Sequence, residues 1–282
     1  MRVRVGISTR NRCDLLVKAL DSVLRQDYPD IEIAVLDDAS TDGTWDLRDK
    51  YPSVIWTREA RQQGLMQARN RLMNETKAEI YVSLDDDAWF MHGDEVSLAV
   101  KWLCQHPEIA VIGFDILTRD QPNPRPRRDP TPLNTFIGCG AALRLDAVRR
   151  AGAYLPVPGI YGSEESDLSI RILDQGDEIV FMPGVHVWHD KANFGTDLRW
   201  KHRSGVCNDL VFALRRYPMP QVFWLFAAKL FSQLGFAIRM GLFGAYLAGV
   251  VDFARSLPTV IQHRAPVQLA TLLEFRRRGR KA

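Results

Sequence analysis

The sequence predicts an α/β fold with a mainly parallel mixed sheet, followed by C-terminal helices. Short apolar runs alternate with stretches of helical periodicity in the first part of its 282 residues, an order typical of βαβ units. Polar side chains also follow the apolar runs: Asp37 and Asp38 come after residues 31–36, and Asp85 comes after residues 80–84. Right-handed crossovers bring the carboxyl ends of such strands to one edge of the sheet, where ligands bind. A binding site is therefore expected at that edge.

The individual elements follow from local patterns. Residues 3–7 form the first strand, and apolar residues then recur at helical spacing between positions 16 and 24. The second strand ends in a turn-forming sequence in which Asp42 or Thr44 is expected to cap a helix. Strands are expected at residues 31–36, 54–56, 80–84 and 109–116, and further helices at residues 65–73 and 94–105.

Composition narrows the class of protein. Hydrophobic residues make up 46% and charged residues 25% of the chain, which is ordinary for a globular protein. The four cysteines lack CxxC spacing, so they are expected to be reduced thiols of a cytoplasmic protein and neither zinc ligands nor disulfides. The N-terminus enters a strand directly, without the pattern of a signal peptide. We therefore expect a protein on the cytoplasmic side of the membrane.

An acidic triplet, Asp85, Asp86 and Asp87, ends the fourth strand. Adjacent carboxylates repel one another, and a hard divalent cation relieves that repulsion while phosphate oxygens complete its coordination. A solvated acidic turn would explain an isolated triplet equally well. The carboxylates after the second strand and a third acidic cluster at residues 164–167 instead favour an enzyme site.

Six motifs occur in the order seen in a known family, within residues 1–210. They resemble family-2 glycosyltransferases, which are inverting enzymes of the GT-A fold that use nucleotide sugars. Residues 203–218 resemble the bacterial rhamnosyltransferase-type members more loosely. The six motifs are Ser-Thr-Arg-Asn-Arg after the first strand, Leu-Asp-Asp-Ala-Ser-Thr-Asp-Gly-Thr after the second, Gly64 followed by Ala-Arg-Asn at residues 68–70, the Asp-x-Asp motif at residues 85–87, a glycine-rich segment at residues 136–142, and Glu-Glu-Ser-Asp-Leu-Ser-Ile-Arg from residue 164.

The resemblance implies a manganese or magnesium site. Asp87 is the expected direct ligand, and Asp85 is expected to act directly, through water or through sugar hydroxyls. Asp86 is able to point back into the protein instead. His189, after a strand at residues 179–182, is expected to add a nitrogen ligand or to hold a phosphate, the alternative being a structural histidine.

The resemblance also implies a pocket for a nucleotide-diphosphate sugar. Asp38 or Asp37 is placed to accept hydrogen bonds from the base or ribose, and Arg69 to approach the base or phosphates. A salt bridge on the helix surface is the alternative for Arg69. The implied pocket residues are Thr9, Arg10, Asn11, Asp37, Asp38, Gly64, Arg69, Asp86 and Gly140.

An inverting transfer needs one carboxylate that deprotonates the acceptor hydroxyl. The family usually has Glu-Asp at this point, with the aspartate as base, whereas this chain has Glu164 and Glu165. The resemblance therefore implies Glu165 as the base, although its extra methylene moves the carboxylate by about 1.5 Å and Glu164 is the alternative. Asp167 and Arg171 are spaced for an i,i+4 pair with a structural role.

Residues 121–132 contain five prolines, which exclude a helix or a central strand. An exposed loop is expected. Its arginines are placed to meet an anionic acceptor, and a plain mobile loop is the alternative.

The chain is expected to divide into a catalytic domain at residues 1–215 and a helical region at residues 216–282. Residues 240–251 form its longest uncharged run, short of the roughly 18–20 residues that span a bilayer. In the segment before that run, polar side chains lie within an arc of about 120° on a helix, here called the polar arc, an arrangement suited to the membrane interface. These are Lys229, Ser232, Gln233 and Arg239. The basic cluster at residues 276–281 suits a surface that carries phosphates, such as membrane lipid, and a merely solubilising tail is the alternative; we expect no nucleic-acid partner. Packing on the catalytic domain or on a second subunit is the alternative.

These patterns predict a metal-dependent glycosyltransferase at the inner face of the membrane. It would act on a glycan or a lipid-linked acceptor in the synthesis of cell-surface polysaccharide or glycolipid. A nucleotidyltransferase would also need an acidic metal site, but residues 8–12 lack the glycine expected in a triphosphate loop. A non-catalytic membrane scaffold is the other alternative, and the glutamate at position 165 is its only support.

Overall fold

The computed structural model describes residues 1–126, 129–159, 162–191 and 197–280. In these residues, nine strands form one sheet. The strands are β1 (Val3–Thr9), β2 (Ile31–Asp37), β3 (Ile55–Arg58), β4 (Ile80–Asp85), β5 (Ala88–Phe90), β6 (Ile109–Leu117), β7 (Thr131–Pro132), β8 (Gly140–Arg144) and β9 (Glu178–His189).

The helices in sequence order are α1 (Cys13–Leu24), α2 (Leu47–Lys50), α3 (Leu65–Asn74), α4 (Glu95–Gln105), α5 (Leu145–Arg150), α6 (Glu164–Asp174), α7 (Leu198–Arg216), α8 (Gln221–Met240), α9 (Phe243–Gln262) and α10 (Leu269–Gly279). A 3₁₀ helix, Gly43–Asp46, precedes α2. Asp42 caps it by accepting a hydrogen bond from the Thr44 amide at 2.9 Å, so the first of the two predicted caps is the one used.

The sheet is mixed, with the order β3-β2-β1-β4-β8-β6-β9-β5 and with β7 paired to β9. Strands β1 to β4 are mutually parallel, and β6 is parallel to β9, whereas β8 runs antiparallel between β4 and β6. Apolar cores lie on both faces, one beneath α1 and α4 and the other beneath α3, α5 and α6. The predicted α/β class and the helices on both faces are confirmed.

The register of the parallel strands explains why the predicted polar clusters converge. Thr9 at the end of β1 lies opposite Asp37 at the end of β2, and Ser8 lies opposite Asp85 at the end of β4. Because these strands are parallel, all three carboxyl ends meet at one edge of the sheet. The site is built on that edge.

The C-terminal helices pack on α7 and α6. Apolar residues of α7, including Val206 and Leu210, share a core cluster with α8 and α9. Asp167 of α6 pairs with Arg171, as predicted, and also with Arg216 at the end of α7 at 2.7 Å, which ties the helix of the candidate base to the C-terminal region. The predicted boundary between residues 215 and 216 falls before the last residue of α7, and it stays a prediction.

The basic C-terminal cluster is folded into α10. Arg278 is buried and pairs with Glu178 and Glu274, and Arg277 also pairs with Glu274. Arg276 and Arg280 are exposed. The charge that this cluster presents to a surface is therefore smaller than the sequence indicates, because two of its arginines have acidic partners.

Among the described residues, α8 is the one helix whose length and composition suit a membrane span. Its two cations, Lys229 and Arg239, do not exclude it, although residues 221–240 contain no uncharged run of that length. Core helices of soluble proteins also meet this test. The proline-rich segment is largely exposed from position 119 to 126, and Thr131–Pro132 pairs with β9; residues 127 and 128 lie outside the described residues.

Candidate active site

The acidic triplet is held by an arginine that the sequence reasoning missed. Arg12 Nη1 donates to Asp86 Oδ1 at 2.7 Å and to Asp87 Oδ2 at 3.1 Å. Asp86 is buried, and the shorter of these two bonds is its own. Burial raises the pKa of Asp86 to about 6, although the charge of Arg12 opposes that rise. The signal for Arg12 was its place at the end of the Ser-Thr-Arg-Asn-Arg motif.

His189 lies against the same carboxylates. Its Nε2 is 3.2 Å from Asp87 Oδ1, and its Nδ1 is 3.6 Å from the Sγ atom of Cys139. Burial opposes ionisation of Asp87, but the hydrogen bond from His189 and the nearby charge of Arg12 outweigh it and lower the pKa of Asp87. Burial raises the pKa of the Cys139 thiol. The predicted ligands Asp85, Asp87 and His189 are thus brought together.

Arg69 connects the predicted metal ligands to the candidate base Glu165. Its Nη2 donates to Asp85 Oδ1 at 2.7 Å, and its Nη1 donates to Glu165 Oε1 at 3.0 Å. Arg69 is only 3% exposed, so its ion pairs lie inside the protein and the helix-surface alternative is wrong. A guanidinium group suits this task because its fork of donors reaches two carboxylates at once.

Glu164 and Glu165 form the first turn of α6, after Ser163, whose backbone is left-handed with φ of 68°. Glu164 is buried, and its Oε2 has no hydrogen-bond partner among the residues that the structure describes. The Glu165 side chain is 20% exposed. Burial and the charge of Glu164 raise the pKa of Glu165 to about 7, against the opposing charge of Arg69. A carboxylate with a pKa near neutrality is suited to general-base catalysis.

A cavity of about 290 Å³ connects these groups. Asp85, Cys139 and His189 line one part of it, and Arg69 and the first turn of α6 line another. Gly138 also lines it, and a Cβ atom there would collide with Glu165 Oε1 and Arg69 Nη1. Glycine at this position allows the two side chains to meet. The glycine-rich motif at residues 136–142 contains Gly138 but does not indicate this role.

The remaining predicted pocket residues form a second group at the ends of β1 and β2. Asp37 accepts a hydrogen bond from the Ser40 amide at 2.8 Å and pairs with Arg58. Asp38 accepts hydrogen bonds from the amides of Gln63 and Gly64 at 2.6 and 2.9 Å. Both aspartates therefore hold loops that border this edge.

Residues 9–11 complete that second group. Thr9 is buried, Arg10 is exposed, and Asn11 Oδ1 accepts a hydrogen bond from the Thr41 amide at 2.7 Å. Gly140 lies apart from both groups: a Cβ atom there would meet Ile116 in the sheet core. Its role is packing between strands, so the structure does not place it at the predicted pocket.

The sequence profile described as "Glycosyl transferase family 2" matches residues 4–151, slightly more than half of the chain. The chain belongs to glycosyl transferase family 2. The chain is similar to TuaG of Bacillus subtilis, a glycosyltransferase assigned to teichuronic acid biosynthesis, with 26% identity over 51% of this chain and 55% of that protein. It is also similar to the Escherichia coli β-1,3-glucosyltransferase WfaP, with 34% identity over 31% of this chain and 36% of that protein. The matches thus span about half or less of these relatives.

Solved structures identify the fold of this family-2 chain. A mannosyltransferase of Pyrobaculum calidifontis, in complex with GDP-Man and Mn²⁺, superposes with a TM-score of 0.60 and 21% identity, over 91% of this chain and 75% of that one. S. aureus TarS 1–349 in complex with UDP-GlcNAc gives 0.68 and 16% identity, over 94% and 82%. The GT-A fold predicted from the sequence is confirmed.

A substitution at Gly138 tests the cavity of this family-2 chain. Gly138→Ala should displace Glu165 and Arg69, because the added methyl group occupies the space of both side chains. Misplacement by about 1 Å can cost roughly a hundredfold in rate, and we expect a loss of that size in sugar transfer with a folded protein. Gly235→Ala, where a Cβ atom meets nothing within 4 Å, is the matched control. Equal activity of the two variants would contradict this role.

Proposed function

We propose that this protein transfers a hexosyl group from a nucleotide-diphosphate sugar to an acceptor hydroxyl with inversion at the anomeric carbon. The observation that carries the proposal is the link through Arg69, which joins a cluster suited to a metal to a carboxylate suited to a base. Asp85 and Glu165 both bond to that one buried guanidinium. A site with these two halves can hold a donor diphosphate and an acceptor hydroxyl side by side.

The residues present fit a divalent cation. Asp85 and Asp87 offer carboxylate oxygens and His189 an imidazole, a donor set that suits manganese and also accepts magnesium. When bound, Mn²⁺ or Mg²⁺ would neutralise charge on the diphosphate and act as a Lewis acid toward the leaving group. The residues that would hold it are Asp87, Asp85 and His189. Asp86 stays with Arg12, on the protein side of the triplet.

Glu165 acts as the general base. Its carboxylate takes the proton of the acceptor hydroxyl while the acceptor oxygen attacks the anomeric carbon, and the nucleotide diphosphate leaves from the opposite side. Arg69 fixes the orientation of Glu165, and burial together with the nearby Glu164 raises the pKa of Glu165 to about 7. The longer side chain of Glu165 is held by its bond to Arg69. Gly138 has no side chain and so leaves room for the Glu165 carboxylate.

The substrate class rests on the relatives. WfaP by its name acts on a diphosphoundecaprenol-linked sugar, and TuaG is assigned to teichuronic acid synthesis. The structural neighbours carry GDP-Man and UDP-GlcNAc. We infer a glycan or lipid-linked acceptor and a role in cell-surface polysaccharide or glycolipid synthesis at the cytoplasmic side of the membrane.

The test is donor turnover. The purified chain is incubated with UDP, dTDP and GDP sugars, with manganese, with magnesium and with EDTA. A rhamnosyl donor is included because residues 203–218 resemble rhamnosyltransferase-type members. Metal-dependent release of nucleotide diphosphate, with an inverted glycoside in the presence of acceptor, supports the proposal. Release of pyrophosphate from a nucleoside triphosphate would indicate a nucleotidyltransferase, and no turnover with any donor would indicate a scaffold.

We further propose that α8 contacts the membrane surface. Trp224, Phe231 and Ile238 lie seven residues apart and are 77%, 68% and 66% exposed. A spacing of seven drifts by only about 20° on a helix, so the three side chains form one outward stripe, called the α8 stripe. On the polar arc, Lys229 and Gln233 bond to Asp209 of α7. Two side chains of the polar arc thus bond to α7, and the α8 stripe that faces outward is apolar.

The α8 stripe gives a binding prediction. The full chain should float with anionic liposomes, and Trp224→Ser with Phe231→Ser should abolish most of that binding. Two large apolar side chains are worth about 3 kcal/mol or more when buried, roughly a hundredfold in partitioning. Leu24→Ser on α1, also exposed, is the control. If the wild-type chain stays in the aqueous phase and the double variant instead breaks a dimer, the stripe is a subunit interface.

A further inference from the structure

Three side chains of different chemistry face one another inside the cavity. A carboxylate oxygen of Asp85, the Sγ atom of Cys139 and a ring nitrogen of His189 all lie within 4.8 Å of one another. All three residues line the same cavity. The spacing of the cysteines matches no metal-binding motif, so it predicts no sulfur ligand. The sheet nevertheless brings one of them to the predicted metal site.

The strand register accounts for this meeting. In the antiparallel pair of β4 and β8, Leu84 lies opposite Gly140. The residue after Leu84 and the residue before Gly140 are therefore neighbours, and these are Asp85 and Cys139. In the pair of β5 and β9, Ala88 lies opposite His189. Three strand ends far apart in sequence thus deliver three donor atoms to one point.

The orientation of the imidazole indicates which nitrogen faces a cation. His189 Nε2 lies 3.2 Å from the Asp87 carboxylate, so it carries the proton and donates to it. Nδ1 then holds the lone pair, and it faces Cys139 Sγ at 3.6 Å. A carboxylate that receives the other N–H of a histidine is the usual arrangement around metal-binding imidazoles. Asp87 thereby aims His189 at the cysteine.

We propose that Cys139 is a protein ligand of the divalent cation, together with Asp85 and His189 Nδ1, and that the site therefore prefers thiophilic cations such as Co²⁺ and Zn²⁺ over Mg²⁺. The inference rests on the cation site of the proposed function and changes its ligand set: Cys139 takes the place of Asp87, which then acts by holding the His189 imidazole. On binding, the Cys139 thiol gives its proton to solvent as the sulfur–metal bond forms. The charge of the cation offsets the burial that otherwise keeps the thiol protonated. Thiolate and imidazole suit cobalt and zinc, whereas magnesium takes oxygen ligands.

Cobalt binding provides a readout that is independent of turnover. Titration of the full chain with Co²⁺ should produce a sulfur-to-cobalt charge-transfer band in the near ultraviolet. Cys139→Ser should abolish the band and weaken Co²⁺ binding at least about tenfold, while Mg²⁺ binding stays nearly unchanged. Cys104→Ser, at an exposed cysteine, should keep the band. Circular dichroism and thermal unfolding verify the fold, and Cys139→Ala serves if the serine variant fails to fold.

The outcomes separate the two proposals. A band that Cys139→Ser removes, with Mg²⁺ binding retained, supports the sulfur ligand. Cobalt that binds to the wild-type protein without the band, or a band that survives in Cys139→Ser, overturns the inference while the transferase and its oxygen and nitrogen ligands stand. Metal-dependent sugar transfer measured in parallel decides the proposed function by itself. Absence of binding by every divalent cation would overturn both.

Discussion

Replacing Glu165 with glutamine should abolish sugar transfer while donor binding changes by only a few-fold. The glutamine keeps the shape of the side chain but cannot accept the proton of the acceptor hydroxyl. A positioned base contributes about 10²–10⁴-fold to rate, so we expect kcat to fall by at least about a hundredfold. Steady-state transfer assays and nucleotide titrations of the folded variant measure the two effects separately.

The pH profile of the wild-type protein provides a second test of Glu165. Burial and the neighbouring Glu164 raise the pKa of Glu165 to about 7. The base form is the carboxylate, so transfer should rise as the pH increases through about 7 and should be lost at lower pH as the group becomes protonated. Glu164→Gln should remain active and should shift the midpoint of the profile downward, because it removes a neighbouring charge. A dead Glu164→Gln and an active Glu165→Gln would place the base one residue earlier.

The second large effect is expected at the acidic triplet. Asp87→Asn should remove most of the sugar transfer and most of the metal-dependent nucleotide binding. The carboxylate supplies negative charge beside the cation site and orients His189, and an amide does neither well. The fold should persist, because Asp86 keeps its own bond to Arg12. Calorimetric titration of nucleotide diphosphate with and without manganese, together with thermal unfolding, measures both.

An exposed aspartate supplies the control for that substitution. Asp94→Asn, at the start of α4, makes no side-chain cap bond to its helix and should leave metal-dependent binding and transfer unchanged. A folded Asp87→Asn protein with nearly normal transfer would show that this carboxylate is not needed for the cation. The metal site would then have to be sought among Asp85, Cys139 and His189 alone.

Much of the site was predictable because it depends on local patterns. Apolar runs followed by carboxylates identified the ends of β2 and β4, and parallel order alone brings Asp37 and Asp85 to one edge. Glu165 followed from a motif at the start of a helix. These inferences needed element types and their order, and no knowledge of which residues lie opposite one another.

The rest depends on register and side-chain direction, which the sequence does not encode locally. Cys139 meets Asp85 only because Leu84 pairs with Gly140. The same register places Gly140 over the sheet core and leaves Gly138 at the cavity. Gly138, and not the predicted Gly140, is therefore the glycine of this motif that borders the site. Arg69 was predicted to reach the nucleotide, but burial between two carboxylates gives it a second task inside the protein.

The charges of the site have a consequence for how the donor arrives. Five carboxylates, those of residues 85–87, 164 and 165, lie at or beside the cavity. Among the residues that the structure describes, their ion pairs are to Arg12, Arg69 and His189. Above about pH 7, where Glu165 and Asp86 are both ionised, the carboxylates outnumber their cationic partners and the field there is negative, and a nucleotide diphosphate is itself an anion. A free donor would be repelled at low ionic strength, whereas a donor that already carries its divalent cation is close to neutral and would escape that repulsion. The sign of the potential at the mouth of the cavity therefore favours binding of the cation to the donor before the donor enters the site.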